Sequence, residues 1–249
     1  MRDEAAFVDA FRDNVGTGVL GRMQDILQQQ GHAVSAISID ELGVILNGNA
    51  NFGRPVDVIN RRGVDEFYDN VGSPSDSLPD STLMNDFIQL NSAVEPNSGK
   101  YADLWSQAFV DAVDKSTSLR ASIESITLDH ESLFTGYLGE RFEMVARLIK
   151  ARDQRVVARD AFYVSYGGFD THSNQVDNIE ARFTEMNNAL HAFKTEMADM
   201  MDQITIVVTS EFARVSLTSY AFSLVRSRFL SPLRFCLYTD FVTKHWCGY

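Results

Sequence analysis

Two stretches decide the fold: Ala161-Phe162-Tyr163-Val164-Ser165-Tyr166-Gly167-Gly168-Phe169-Asp170-Thr171-His172 and, further on, Ile204-Thr205-Ile206-Val207-Val208-Thr209-Ser210-Glu211. The apolar, β-favouring run 161–166 reads as a strand that stops at the glycine pair. Between the stretches, Val176, Ile179, Phe183, Met186, Leu190, Phe193, Met197 and Met200 recur three and four residues apart, the stripe a helix buries on one side. Residues 204–209 read as a second strand. Strand, helix, strand is a βαβ unit, so the spacing predicts two adjacent parallel strands with residues 175–202 packed across one face.

That topology has a chemical consequence. Open α/β proteins place ligands outside the carboxyl ends of their strands. Asp170 and His172 follow the first strand and Glu211 follows the second. Oxygen and nitrogen donors of this kind suit a divalent metal, zinc or manganese. Gly167 and Gly168 let the backbone turn sharply and approach a ligand closely. A plainer reading stays open beside this one: Asp170 or Thr171 caps a helix, and Glu211 pairs with Arg214 three residues on.

The run from Tyr163 through Gly167-Gly168-Phe169-Asp170-Thr171-His172 to Gln175 resembles the Gly-Gly-aromatic-Asp-Thr-His signature of domain-of-unknown-function family 1501. Val207-Val208-Thr209-Ser210-Glu211-Phe212-Ala213-Arg214 is similar to its second signature, a strand ending in Glu-Phe-Gly/Ala-Arg. The family is similar to the alkaline phosphatase and sulfatase superfamily, which binds divalent metals at the carboxyl edge of a parallel sheet. The resemblance implies a parallel-sheet, three-layer α/β sandwich that is alkaline phosphatase-like and, in this chain, incomplete at both ends. It implies that Asp170 and His172 match the superfamily's Asp/His ligands. Glu211 then falls where many relatives carry Asp-His, and Phe212 stands here instead of a second imidazole. Family members usually carry an export signal, whereas Met1-Arg2-Asp3-Glu4 lacks the apolar core of one.

The rest of the chain sets bounds. Its 249 residues carry a formal charge of −12, which argues against nucleic-acid binding, since that needs a basic face. No run is long enough to span a membrane. Gly16-Thr17-Gly18-Val19-Leu20-Gly21 matches the dinucleotide fingerprint G-x-G-x-x-G, with Asp40 near the ribose-binding distance, but the residues before Gly16 are too polar for the buried strand that motif requires. A helix is expected over 5–31 in two pieces, strands at 33–39 and 43–46, and a short edge strand at 55–59 opened by Pro55. Residues 70–99, with Pro74, Pro79 and Pro96, read as a long surface excursion. Helices follow at 100–124, with Leu104, Trp105, Phe109, Val110 and Val113 inward, and at 132–150. His130 sits in the turn between them beside Asp129 and Glu131, and His191 lies on the long crossover helix. Both read as structural.

The family resemblance ends at Arg214, and the charge changes there. Beyond it stand Arg226, Arg228, Arg234 and Lys244 against Asp240 alone, together with both cysteines, Cys236 and Cys247. The sequence is therefore divided into 1–214, a partial alkaline phosphatase-like α/β domain, and 215–249, a divergent or artefactual tail. The cysteine spacing fits neither a zinc knuckle nor a disulfide framework. The functional expectation is a metal-dependent hydrolase of phosphate or sulfate esters, acting on a small anionic ester that Arg214 holds, and inactive as this fragment. No nucleophile is assigned, because in the superfamily it comes from an upstream strand; Ser173 and Ser210 are nearby hydroxyls without a base. The alternatives are a non-catalytic α/β binding or surface protein of the same family and, remotely, a dinucleotide-binding protein through Gly16, Gly18 and Gly21.

Overall fold

A computed structural model describes residues 16–49, 51, 53–62, 86, 88–92, 99–169, 171, 173–210 and 233–240. The chain divides into two compact units, one of Met1–Arg61 with Thr127–Tyr249 and the other of Arg62–Ile126.

In the first unit the described elements are helix α1 (Val19–Gln29), strand β1 (Val34–Ile39), a 3₁₀ turn at Val44–Leu46 and strand β2 (Asp57–Ile59). The second unit contributes helix α2 (Lys100–Glu124). The first then resumes with helix α3 (Gly136–Lys150), strand β3 (Arg159–Tyr166), helix α4 (Gln175–Glu196), strand β4 (Ile204–Ser210) and strand β5 (Leu233–Asp240). The strands form one sheet in the order β2-β1-β3-β5-β4. β2, β1 and β3 are parallel, and helices flank them, so the fold is of the α/β class. β5 runs antiparallel to both of its neighbours.

The expected adjacency of β3 and β4 is corrected by β5, which lies between them. β3 is buried along almost its whole length, and its backbone groups need ladder partners on both sides. β1 supplies one set and β5 the other. Because β5 is antiparallel to each, β3 and β4 still point the same way, at about 9.6 Å separation for two strand spacings. Leu233 pairs with Tyr166 on one side and with Ser210 on the other. The two strands therefore stop at the same level of the same sheet edge.

One face of the sheet presents Ala36, Ala161 and Tyr163, covered by Leu20 of α1 and by Leu46. Successive side chains alternate across a strand, so Ile37, Ile39, Phe162 and Val164, all buried, belong to the other face. α3 packs against β3 and buries Leu138, Phe142, Val145, Leu148 and Ile149, the residues its periodicity marks as inward. Phe142 meets Phe193 of α4 edge to face, with centroids 5.3 Å apart.

Three local expectations change. Residues 43–46 form a 3₁₀ turn in place of a strand: the Ser38 hydroxyl accepts the Gly43 N–H at 3.1 Å and donates to the Glu41 carbonyl, folding the chain back directly after β1. The apolar stripe of α4 is buried only toward its C-terminal end. Ala189, Ala192, Phe193, Glu196 and Met197 are buried, whereas Val176 and Phe183 are exposed, because small alanines let α4 approach α3 along a different line. In α2, Leu104 and Trp105 are 59% and 65% exposed, and Trp105 covers itself by stacking on Phe109 at 5.7 Å. The expected helix at 5–11 and most of the excursion at 70–99 lie outside the described residues.

Candidate functional site at the carboxyl edge of the sheet

The edge where β1, β2 and β3 end carries two groups of polar side chains. The first closes the β1–β2 side. Asp40 follows β1 with a left-handed φ of +66°, a conformation that Asp tolerates better than most residues. Its Oδ1 accepts the Arg61 N–H at 2.8 Å, and its Oδ2 accepts from Arg61 Nη1 at 3.2 Å and Arg141 Nε at 2.9 Å. Arg141 donates from its other two nitrogens to the Ser165 carbonyl and hydroxyl and to the Tyr137 hydroxyl. Arg61 Nε reaches Glu140 at 2.8 Å. Both guanidiniums lie over the Tyr137 ring, at 4.5 and 4.1 Å from its centroid. Burial alone would push the Asp40 carboxyl up, but the hydrogen bonds and charge of Arg61 and Arg141 hold it below its ordinary range.

The second group lies past β3. Gly168 has φ +89°, and a β-carbon there would stand 2.6 Å from Arg182 Nε. The left-handed φ favours glycine here, and a β-carbon would displace the flexible end of Arg182. Phe169 packs edge to face on Tyr166 and Phe183, at 5.6 and 6.0 Å. A cleft of about 510 Å³ opens beside the loop, lined by Gly168, Thr171, Ser173, Asn178, Ala181, Arg182 and Glu185. Tyr166 donates to Glu185, whose other oxygen accepts the Leu138 N–H at 3.0 Å. Burial and the neighbouring Glu185 push the Tyr166 hydroxyl up to about 12, so it remains a proton donor at neutral pH.

Of the residues singled out in the sequence, Gly167 and Gly168 follow β3 as expected, and Gly168 borders the cleft. Asp170, His172, Glu211 and Arg214 lie outside the described residues. Thr171 and Ser173, which alternate with Asp170 and His172 in the chain, both line the cleft. Among the described residues no group of three or more His, Cys, Asp or Glu side chains is placed to hold a metal. His130 has a structural role: its N–H donates to Glu196 at 2.7 Å and its Nδ1 lies 3.4 Å from the same carboxylate. His191 is exposed on α4. Two of the three fingerprint glycines, Gly18 and Gly21, serve close packing. A β-carbon would lie 2.2 Å from the Ile45 backbone at Gly18 and 1.9 Å from Asn47 O at Gly21, and the Gly18 N–H donates to Asn47 O at 2.8 Å.

The model of the protein family described as "Protein of unknown function (DUF1501)" matches residues 139–220. The match runs from α3 through β3, the Asp-Thr-His loop, α4 and β4, past Arg214, where the resemblance read from the motifs ends. It supports the resemblance at family level for this part of the chain. No curated protein and no solved structure matches. No helix among the described residues is long and apolar enough to cross a membrane.

Sequence reasoning missed Asp40 with its two arginines, and Arg182. A signal existed for Asp40, an acidic residue directly after a predicted parallel strand, but its partners Arg61 and Arg141 come from elsewhere in the chain. Arg182 carried none beyond its place on the polar side of an amphipathic helix.

Proposed function

We propose that the β3–β4 end of the sheet edge is the site of a metal-dependent hydrolase of phosphate or sulfate esters, with an alkaline phosphatase-like arrangement. One observation carries the reading: β3 and β4 run in the same direction and stop at the same level, both paired to Leu233, so the two signature motifs leave the sheet from one edge. The family match covers both motifs and supports taking them together.

Asp170, His172 and Glu211 are the residues that would hold a divalent metal, zinc or manganese, and their donor chemistry fits. The metal, when bound, supplies Lewis-acid polarisation of the ester oxygen and a lowered pKa for the nucleophile. Arg214 would pair bidentately with the anionic group. Tyr166 and Glu185 fix the base of the loop through their mutual hydrogen bond and the Leu138 N–H. The substrate is a small anionic ester.

The experiment is metal content by plasma mass spectrometry after loading with zinc or manganese and dialysis. Asp170→Ala and His172→Ala each lower occupancy while the far-UV circular dichroism is unchanged. In a longer family member, the corresponding changes abolish hydrolysis of 4-nitrophenyl phosphate and sulfate. Full occupancy and activity in both variants would make Asp-Thr-His a helix cap. A second reading, a non-catalytic binding protein, draws on β5, which doubles the distance between the β3 and β4 ends relative to neighbouring strands.

A further inference from the structure

Arg182 differs from the other guanidiniums of this edge in how it is held. Its Nη1 lies 3.5 Å from the Tyr166 hydroxyl oxygen and 3.5 Å from Glu185 Oε2, the outer limit for a hydrogen bond. Glu185 is already served by Tyr166 and by the Leu138 N–H, so it makes no strong claim on the guanidinium. The opposite edge of Arg182, formed by Nε and Nη2, occupies the space a side chain at position 168 would take, 2.6 and 2.7 Å from the place of its β-carbon. Neither of these nitrogens has a hydrogen-bond acceptor among the described residues. The side chain is 40% exposed and lines the cleft.

We propose that the Nε–Nη2 edge of Arg182 anchors a tetrahedral oxyanion, phosphate or sulfate, in this cleft. The proposal adds a second anion-holding residue, beside Arg214, to the site described above and rests on that reading for the chemistry that follows binding. The two N–H groups of a guanidinium edge are parallel and match two oxygens on one phosphorus or sulfur. Thr171 and Ser173 line the same cleft, and a hydroxyl is able to donate to the remaining oxygens. Asn178 is committed elsewhere, donating to the Ser173 carbonyl at 2.8 Å, so it positions the loop. Glu185 is the one carboxylate among the lining residues, and its two oxygens face Tyr166, Leu138 and the far nitrogen of Arg182. At about 510 Å³ the cleft falls within the size range of small-molecule sites, about 300–1,000 Å³, and exceeds what a bare oxyanion fills. The surplus is room for the organic part of an ester. A β-carbon at Gly168 would shift the guanidinium from this position.

The test is calorimetric titration of the full chain, stripped of metal with a chelator, using inorganic phosphate and inorganic sulfate at low ionic strength. Wild type binds one or both. Arg182→Gln, which keeps hydrogen-bonding capacity and removes the charge, weakens binding at least tenfold, and Arg182→Lys, a cation without the fork, is intermediate. Thermal unfolding of each variant in the absence of anion confirms that the fold is intact. Whichever anion loses more affinity in Arg182→Gln identifies the ester class. Equal binding by wild type and Arg182→Gln, or no binding by wild type, overturns the anchor. Because no metal is present, this result is independent of the hydrolase reading: a chain that takes up no metal but binds oxyanion through Arg182 refutes the hydrolase and keeps the anchor. A chain that loads metal through Asp170 but binds oxyanion equally well without Arg182 does the reverse.

Discussion

Arg141 and Arg182 stand along one sheet edge and are used in opposite ways. Arg141 is buried, with a side chain 4% exposed, and donates from all three nitrogens to Asp40, Ser165 and Tyr137. Together with Arg61 it ties the ends of β1, β2 and β3 to α3. Among the described residues Arg182 meets two acceptors, both only at 3.5 Å, and it lines a cleft. A guanidinium whose donors are saturated by the protein is a clamp; one with donors to spare is available to a ligand. The comparison locates structural and recognition chemistry at different ends of the same edge.

The largest effect that tests this contrast is on stability. Arg141→Ala leaves Asp40 to Arg61 alone and removes the guanidinium donors to Ser165 and Tyr137. Breaking a buried ion pair from one side costs about 3–5 kcal/mol when the remaining charge has no other partner, so with Arg61 in place the loss is about 3 kcal/mol at most. Arg182→Ala, at a half-exposed pair, costs no more than about 1 kcal/mol. Urea unfolding of the two variants separates them, and equal losses would break the comparison. Gly168→Ala comes next. Forcing a β-carbon into left-handed backbone costs about 1–2 kcal/mol, and the same atom displaces Arg182, so oxyanion binding falls along with stability. A loss of stability with unchanged binding would uncouple the glycine from the anchor.

The smallest effect is in acid. Asp40 titrates below its ordinary value of 3.8 in the folded chain, so its stabilising contribution is complete above that pH and is lost as pH falls through the folded value. Glu196 behaves in the same sense: burial pushes it up, but Lys150 and the His130 and Asp129 N–H groups hold it below 4.5. Asp40→Asn therefore flattens the fall of stability on acidification, measured by unfolding midpoints across the acid limb. Arg182→Gln leaves that slope as in wild type, because it does not touch Asp40.

Much of the architecture was legible because it is written locally. The runs 34–39 and 161–166 are short and β-favouring and terminate as strands do, Pro55 marks the start of an edge strand, and the stripe of α3 names its own buried face. What sequence periodicity missed depends on distance along the chain. Arg141 meets Asp40 across 101 positions and Arg61 meets Glu140 across 79, and no local pattern encodes such pairs. The strand Leu233–Asp240 did have a local signal, Leu233, Phe235, Leu237 alternating with polar or small residues. The change of charge after Arg214 obscures that signal. The exposed N-terminal half of α4 shows the limit of the stripe argument: periodicity identifies a possible face, and Ala189 and Ala192 decided which line of the helix met α3. For the site, the glycine pair and its loop were legible, and the side chain opposite Gly168 was not.

The loop after β3 is proposed to bind a divalent metal through Asp170 and His172. The most direct measurement is zinc titration of the chelator-stripped chain, wild type against His172→Ala, followed by calorimetry at constant pH. Wild type is expected to bind one metal weakly and saturably and His172→Ala to lose it, with both proteins unfolding at the same temperature before zinc is added. Equal zinc binding by the two proteins would contradict it.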